Sequence, residues 1–385
     1  MKKTTCIASL MVCLSMGQAG ALAQNIRIDM NKTYPEKTIS LQKVADVKYI
    51  PLETTDEALF NGVVTHLSAE GIAGFNKKEG DILVFDGTGK AIASFNHTGQ
   101  GPNEYNKIYH LDVDWKQKEV YVQDNFRQKI RIYALNGSHL RTIDLQETMQ
   151  QGDLYNFSDT HLIYYAQPKS KPVTPYEPVT LLSKKDASKA TLPFTKTDDN
   201  LVKATGGPFG DMKMSAKNVN LLCKKGDEVY VNEVTADVIY RVESNHALTP
   251  VVERTPSYQD ASGQDFFLML TGANARYYFF KRQQALLEFQ GNAATDTKST
   301  YVAYDRKEKQ LLNPTFTNED YPSQDIPMSK LLQCAGSANR CYLQLEAFKL
   351  KEALAEGKLK GTLKSIAEKL DEEDNPVLMV VEFKK

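Results

Sequence analysis

The sequence predicts an all-β fold, a six-bladed β-propeller of four-stranded blades with small helical inserts near the C-terminus. Three observations predict it. Strand-length segments punctuated by turns repeat along the chain, and both ends read as strands able to complete one sheet. The third is composition: 19 Tyr and 16 Phe against a single Trp lean towards strand. A hydrophobic fraction of 41% and a charged fraction of 25% belong to a soluble globular protein, which excludes a disordered or fibrous chain.

The first element in chain order is the segment 1–23. Lys2 and Lys3 precede an apolar run from Cys6 to Met16, and Ala21-Leu22-Ala23 forms a small-x-small cleavage site before Gln24. This is the pattern of a bacterial secretory signal peptide. The run is too short to span a bilayer, and no later segment approaches ~20 apolar residues. A rival reading makes Cys13 a lipid-bearing cysteine, but Val12 stands where Gly, Ala or Ser is preferred before it. Cleavage after Ala23 is therefore expected, leaving residues 24–385 as a single propeller domain. That domain is expected to be a periplasmic or secreted monomer. Without Lys2 and Lys3 the chain has 45 basic and 48 acidic residues, a net charge of −3. So balanced a charge gives no footprint for nucleic acid.

The repeats follow. Ile82-Leu83-Val84-Phe85-Asp86-Gly87-Thr88-Gly89 superposes on Ile130-Arg131-Ile132-Tyr133-Ala134-Leu135-Asn136-Gly137, a spacing of 48 residues, with the turn glycines Gly89 and Gly137 coinciding. Val120-Tyr121-Val122 matches Val229-Tyr230-Val231. One unit parses into strands 110–115, 119–124, 129–135 and 139–145, separated by Lys116-Gln117-Lys118, a loop at 125–128 and Asn136-Gly137-Ser138. Third strands recur at 81–86, 179–183, 238–242, 301–305 and 377–383. A four-stranded sheet cannot bury both faces alone, so such units stack, and a ring removes exposed ends. The terminal segments 47–52 and 377–383 are expected to share the closing blade. Residues 346–356 and 362–370 are predicted covering helices, the second with Leu363, Ile366, Ala367 and Leu370 on one face. Phe266-Phe267-Leu268-Met269-Leu270 is read as a buried helix-like insert and Tyr277-Tyr278-Phe279-Phe280 as an inner blade strand.

Gly99-Gln100-Gly101-Pro102-Asn103-Glu104-Tyr105, Leu111-Asp112-Val113-Asp114, Val120-Tyr121-Val122-Gln123-Asp124 and the Ile130–Gly137 strand and turn together resemble an NHL-type propeller repeat. Lys129 stands where that repeat usually has arginine, Arg127 where it usually has asparagine. The whole chain is similar to the bacterial secreted six-bladed β-propeller proteins, through Tyr49-Ile50-Pro51-Leu52-Glu53-Thr54, the Gly99–Tyr105 loop and Asp374-Asn375-Pro376-Val377-Leu378. The resemblance implies a fold and an export address. A fold does not imply a function.

No phosphate loop, dinucleotide fingerprint, Gly-x-Ser-x-Gly elbow or His-Glu-x-x-His occurs in the sequence. The histidines His66, His97, His110, His139, His161 and His246 pair with no nucleophile by spacing and read as ordinary strand and loop residues. Asp112, Asp114 and Asp124 fall at strand ends, where they cap turns or, alternatively, line the channel and hold calcium or zinc as in six-bladed lactonases. No cofactor is expected. Cys334 and Cys341 flank a turn and are either bridged or two buried thiols. Charge runs such as Lys184-Lys185 and Asp371-Glu372-Glu373-Asp374 read as solvated.

The site expectation is topological. The link from an outer strand to the next blade and the loop between second and third strands share one face of the ring. Residues 96–106, 125–128 and 76–79 should therefore meet, gathering Lys77, His97, Gln100, Asn103, Tyr105, Phe126 and Arg127, with Lys78 and Glu104 beside them. Aromatic, amide and basic groups suit a peptide, protein or glycan. The competing reading makes Gly99, Gly101 and Pro102 a plain inter-blade turn, with Tyr105 packed between blades. A non-catalytic binding propeller is the leading expectation, and a metal-assisted hydrolase or lyase of the lactonase type is the alternative.

Overall fold

The computed structural model describes residues 26–124, 127–145, 154–166, 175–196, 201–205, 212–215, 221–258, 260, 266–290, 293–294 and 298–385. They form a six-bladed β-propeller. The first blade comprises Val63–Leu67, Gly71–Phe75, Ile82–Asp86 and Ala91–Phe95, ordered from the axis outwards. The second comprises His110–Asp114, Glu119–Asp124, Lys129–Ala134 and His139–Asp144, each within one residue of the sequence expectation. The third runs through Leu154–Asn156, His161–Tyr165, Val179–Ser183 and Lys189–Thr191, and the fourth through Leu222–Lys225, Glu228–Val231, Val238–Val242 and Leu248–Thr255. Phe266–Ala273, Tyr277–Gln284, Ser299–Asp305 and Gln310–Asn318 make the fifth.

The sixth blade closes the ring. Arg340–Leu345 pairs with Val377–Phe383, which pairs with the N-terminal strand Ala45–Pro51 on its outer edge. The innermost strand of this blade is reduced to a single bridge between Leu332 and Tyr342. Two further N-terminal strands cover edges elsewhere: Ile26–Asp29 lies parallel to Leu248–Thr255, and Glu36–Ser40 parallel to Gln310–Asn318. Occupied edges offer no template for pairing with another chain.

What holds the ring is alternation within apolar strands. Ile82 and Val84 pack towards the second blade, while Leu83 and Phe85 pack towards the sixth. Val120 and Val122 likewise face the first blade, and Tyr121 the third. Such strands are buried on both faces and read as continuous hydrophobic runs. The described residues give six apolar clusters, one at each junction between neighbouring blades. Each fully buried Leu or Phe contributes about 1.5–3 kcal/mol. Gly89 and Gly137 end their repeats at φ +93° and +86°, a region that costs glycine nothing.

One expectation is corrected. Phe266–Ala273 is the inner strand of the fifth blade, not a helical insert. Phe267 and Leu268 face opposite neighbours, and a short apolar run buried on both sides has no periodicity to separate strand from helix. Tyr277–Gln284 is accordingly the second strand out. The predicted helices form as Ala347–Ala355 and Gly361–Ala367 and bury Leu350, Ala353, Leu363 and Ala367 over the sixth blade. An additional small sheet joins Leu201–Thr205 and Met212–Ser215, between blades three and four, to Leu286–Gln290 and Ala293–Ala294 of the fifth.

Candidate functional site

The loops expected on one face do meet. Arg127 donates through Nη1 to the carbonyls of Gln100 (3.3 Å) and Gly101 (3.1 Å), and through Nη2 to Gly99 O (3.2 Å) and Gln100 Oε1 (2.5 Å). Asn96 Nδ2 donates to Glu79 O at 3.0 Å and Asp81 Oδ1 at 2.9 Å. His97, Gln100, Glu104, Tyr105 and Arg127 are all engaged within the protein, mostly with backbone groups. Tyr105 is 0% exposed, so its ring presents no surface to a ligand. Its hydroxyl donates to Gly80 O (2.8 Å) and accepts from the His97 N–H (3.0 Å), and burial pushes the phenol up to about 12. His97 stacks on Tyr133 with centroids 4.9 Å apart, and its Nε2 lies 2.8 Å from Gly137 O. The carbonyl of Asn103 accepts from the Tyr133 hydroxyl at 2.7 Å, and the Gly101 N–H donates to Glu104 Oε2 at 2.6 Å. Lys77, Lys78 and the side chain of Asn103 are exposed. Phe126 lies outside the described residues.

Asp114 and Asp124 end their strands as expected, whereas Asp112 lies in the middle of His110–Asp114, and each of the three is held by a different cation. Asp114 accepts from Lys184 Nζ at 2.8 Å, and Asp124 from Arg131 Nη1 at 3.1 Å. Asp112 faces Lys224 Nζ at 3.2 Å and His66 Nδ1 at 3.3 Å, and accepts the Asn156 N–H at 2.8 Å. Burial opposes the charge on Asp112, but Lys224 and then His66 outweigh it and hold the carboxyl well below the usual carboxylate range. Among the described residues no three His, Cys, Asp or Glu side chains are grouped to hold a metal.

Asp112 belongs to a network that fills the channel with at least one residue from every blade. Lys224 of the fourth blade also donates to Asn156 O of the third at 2.8 Å. Gln333 of the sixth blade grips the backbone of Ala273 of the fifth, with Oε1 and Nε2 both at 2.6 Å. Residues 334–336 then cross the axis. The Leu67 N–H donates to Ala335 O (2.9 Å) on one side, and the Gly226 N–H donates to Cys334 O (3.0 Å) on the other. Gly336 sits at φ +111°, and a Cβ there would lie 2.6 Å from His66 Nε2, an atom with no hydrogen-bond partner. Only glycine lets the crossing segment approach so closely. Cys334 and Cys341 are free thiols, each pushed up to about 12 by burial.

Two clefts open on the opposite face of the ring, where the turns between first and second strands and between third and fourth strands lie. The first, about 640 Å³, is lined by Phe157, Ser158, Thr160, His161, Asp227, Glu228, Arg241, Glu243 and His246. The rings of His161 and His246 are 6.1 Å apart, as are those of Phe157 and His246. Arg241 is already neutralised between Glu228 (3.2 Å) and Glu243 (2.9 Å). Asp227 makes no ion pair among the described residues. Asp227 is an exposed residue, and partial desolvation of its carboxyl raises its pKa, with the charges of Glu70 and Asp112 pushing the same way, against Lys224 and His66. The second cleft, about 590 Å³, shares Glu228 and is otherwise lined by Asn274, Ala275, Arg306, Lys307, Ala338, Asn339 and Lys385. Neither cleft was foreseen from the sequence. Their residues sit in unremarkable turns scattered over half the chain, and only ring closure brings them together.

Fold and site define a six-bladed propeller with a filled channel and paired clefts on one turn face. The chain belongs to the family described as a domain of unknown function, DUF4934, whose model matches residues 25–382. It is similar to a Bacteroides fragilis protein described as exported, at 15% identity and a TM-score of 0.64, over 94% of this chain and 99% of that one. A DUF4221 family member from Bacteroides vulgatus matches at 9% identity and a TM-score of 0.50, over 89% and 98% of the two chains. Virginiamycin B lyase from Staphylococcus aureus is a looser match, at 9% identity and a TM-score of 0.39 over 88% and 99%, too distant to bear on chemistry. Among proteins of curated function, none matches the sequence.

Proposed function

We propose that this chain is an exported, non-catalytic binding propeller that recognises a glycan on the turn face carrying the two clefts. The observation that carries the reading is the first cleft, where the Phe157, His161 and His246 rings share the lining with the carboxyl of Asp227, which makes no ion pair among the described residues. Flat rings pack against the C–H faces of a sugar, while imidazole and carboxyl groups meet its hydroxyls. The buried Asp112, His66 and Lys224 support the non-catalytic part, because they hold each other behind the crossing segment. The reading needs no cofactor.

Neutral oligosaccharides, screened by thermal shift, are expected to raise the melting temperature of the native protein. Phe157→Ala and His246→Ala are each expected to weaken binding about tenfold in calorimetric titration, a change of ~1.4 kcal/mol. Stabilisation by peptides alone, or affinities untouched by both substitutions, would refute the reading. Export rests on Lys2, Lys3 and Ala21-Leu22-Ala23, and among the described residues no helix is long and apolar enough to cross a membrane. Intact mass of protein secreted by a bacterial host should place the mature N-terminus at Gln24. A diacylated Cys13 would overturn that.

A further inference from the structure

The second cleft carries a charge that its surroundings do not cancel. The neighbouring cations Arg276, Arg340 and Lys384 each face a carboxylate, at 2.8, 3.4 and 2.8 Å. Arg306 and Lys307 make no ion pair among the described residues, and both are exposed in the turn between the third and fourth strands of the fifth blade. The turn is built rather than loose. Asp305 Oδ1 accepts the Lys307 and Glu308 N–H groups at 3.0 Å, and its Oδ2 accepts from Arg276. Arg306 itself is positioned: its guanidinium lies 4.9 Å over the Tyr278 ring, and Nη1 donates to Asn274 O at 2.7 Å. Among the described residues no other acceptor takes the rest of the fork, which is left to an incoming acceptor. Asn339 Oδ1 is taken by the Ala275 N–H at 3.0 Å, which leaves its amide NH2 as a donor towards the same cleft. Glu228, the one acidic side chain among the described residues of the lining, is already spent on Arg241 and the Tyr230 hydroxyl.

A planar donor fork, an ammonium and an amide around one hollow suit an oxyanion with several acceptor oxygens. Because Glu228 lines both clefts, a chain of sugar rings resting on Phe157 reaches Arg306 without leaving the face. We propose that the second cleft is a subsite for the acidic group of that glycan, a carboxylate or a sulfate ester, so that the ligand is an acidic oligosaccharide. The proposal rests on the glycan reading of the first cleft.

Calorimetric titration with three oligosaccharides of equal length tests it: an oligogalacturonate, a sulfated galacto-oligosaccharide and its neutral parent. At least one acidic oligomer should bind about tenfold more tightly than the neutral one, and which of the two does so identifies the acidic group. That advantage should vanish in Arg306→Ala and Lys307→Ala, and shrink as salt rises from about 0.05 M to about 0.5 M. Both side chains are exposed, so melting temperatures should stay within a degree or two of the parent protein. Equal binding of all three sugars, or an acidic preference that survives both substitutions, overturns this subsite while leaving the first cleft standing. If no sugar binds and poly-glutamate does so through Arg306, the glycan reading of both clefts falls.

Discussion

Lys224→Met is expected to destabilise the folded protein by about 3–5 kcal/mol, because it leaves the carboxylate of Asp112 buried without its main counter-charge. Asp112 is 1% exposed and, among the described residues, keeps His66 and two backbone N–H donors when Lys224 is gone. Urea unfolding at neutral pH measures the loss. The companion change Asp112→Asn, added to Lys224→Met, should recover part of it, since no uncompensated charge then remains. The pH dependence has a defined sign. The folded pKa of Asp112 lies below its unfolded value of about 3.9, so the group stabilises the fold above that pH and ceases to do so as pH falls further. The parent protein should therefore lose more stability between about pH 5 and pH 3 than the Lys224→Met variant does. A loss under about 1 kcal/mol for Lys224→Met, typical of a solvated pair, would show that water reaches the channel network.

Tyr105→Ala is expected to cost about 3–5 kcal/mol, the range for deleting a buried aromatic side chain. Tyr105→Phe keeps the ring but leaves Gly80 O and the His97 N–H without their partner, and should cost about 1–3 kcal/mol. Urea unfolding of the two variants separates packing from hydrogen bonding. A negligible loss in Tyr105→Ala would mean that the ring is exposed in solution, and would restore it as a surface contact for ligand.

The four strands of the second blade were legible to within one residue because their signals are local: alternating apolar positions, Gly137 at a positive φ, and turns rich in Lys, Gln and Asn. The meeting of Arg127 with residues 99–101 was legible too, because blade topology alone puts those loops on one face. What the loops do there was not. Whether Tyr105 points into a junction or out to solvent depends on Tyr133 and Gly80, partners that local pattern does not specify. Phe266–Ala273 was misread for a related reason, since a strand enclosed on both sides loses the alternation that would mark it.

By itself the sequence determined the repeat, the four strands of the second blade, the third strands of the other blades and the closure of Ala45–Pro51 against Val377–Phe383, because each rests on patterning that these segments carry themselves. Only the tertiary structure decided the filled channel and the two clefts. Lys224, Asp112, His66 and Asn156 come from four different blades, and Phe157, Asp227, His246, Arg306 and Asn339 from the turns of four. No spacing links them. They become neighbours when the ring closes, and closure is driven by the apolar junctions between blades rather than by the polar residues that it brings together.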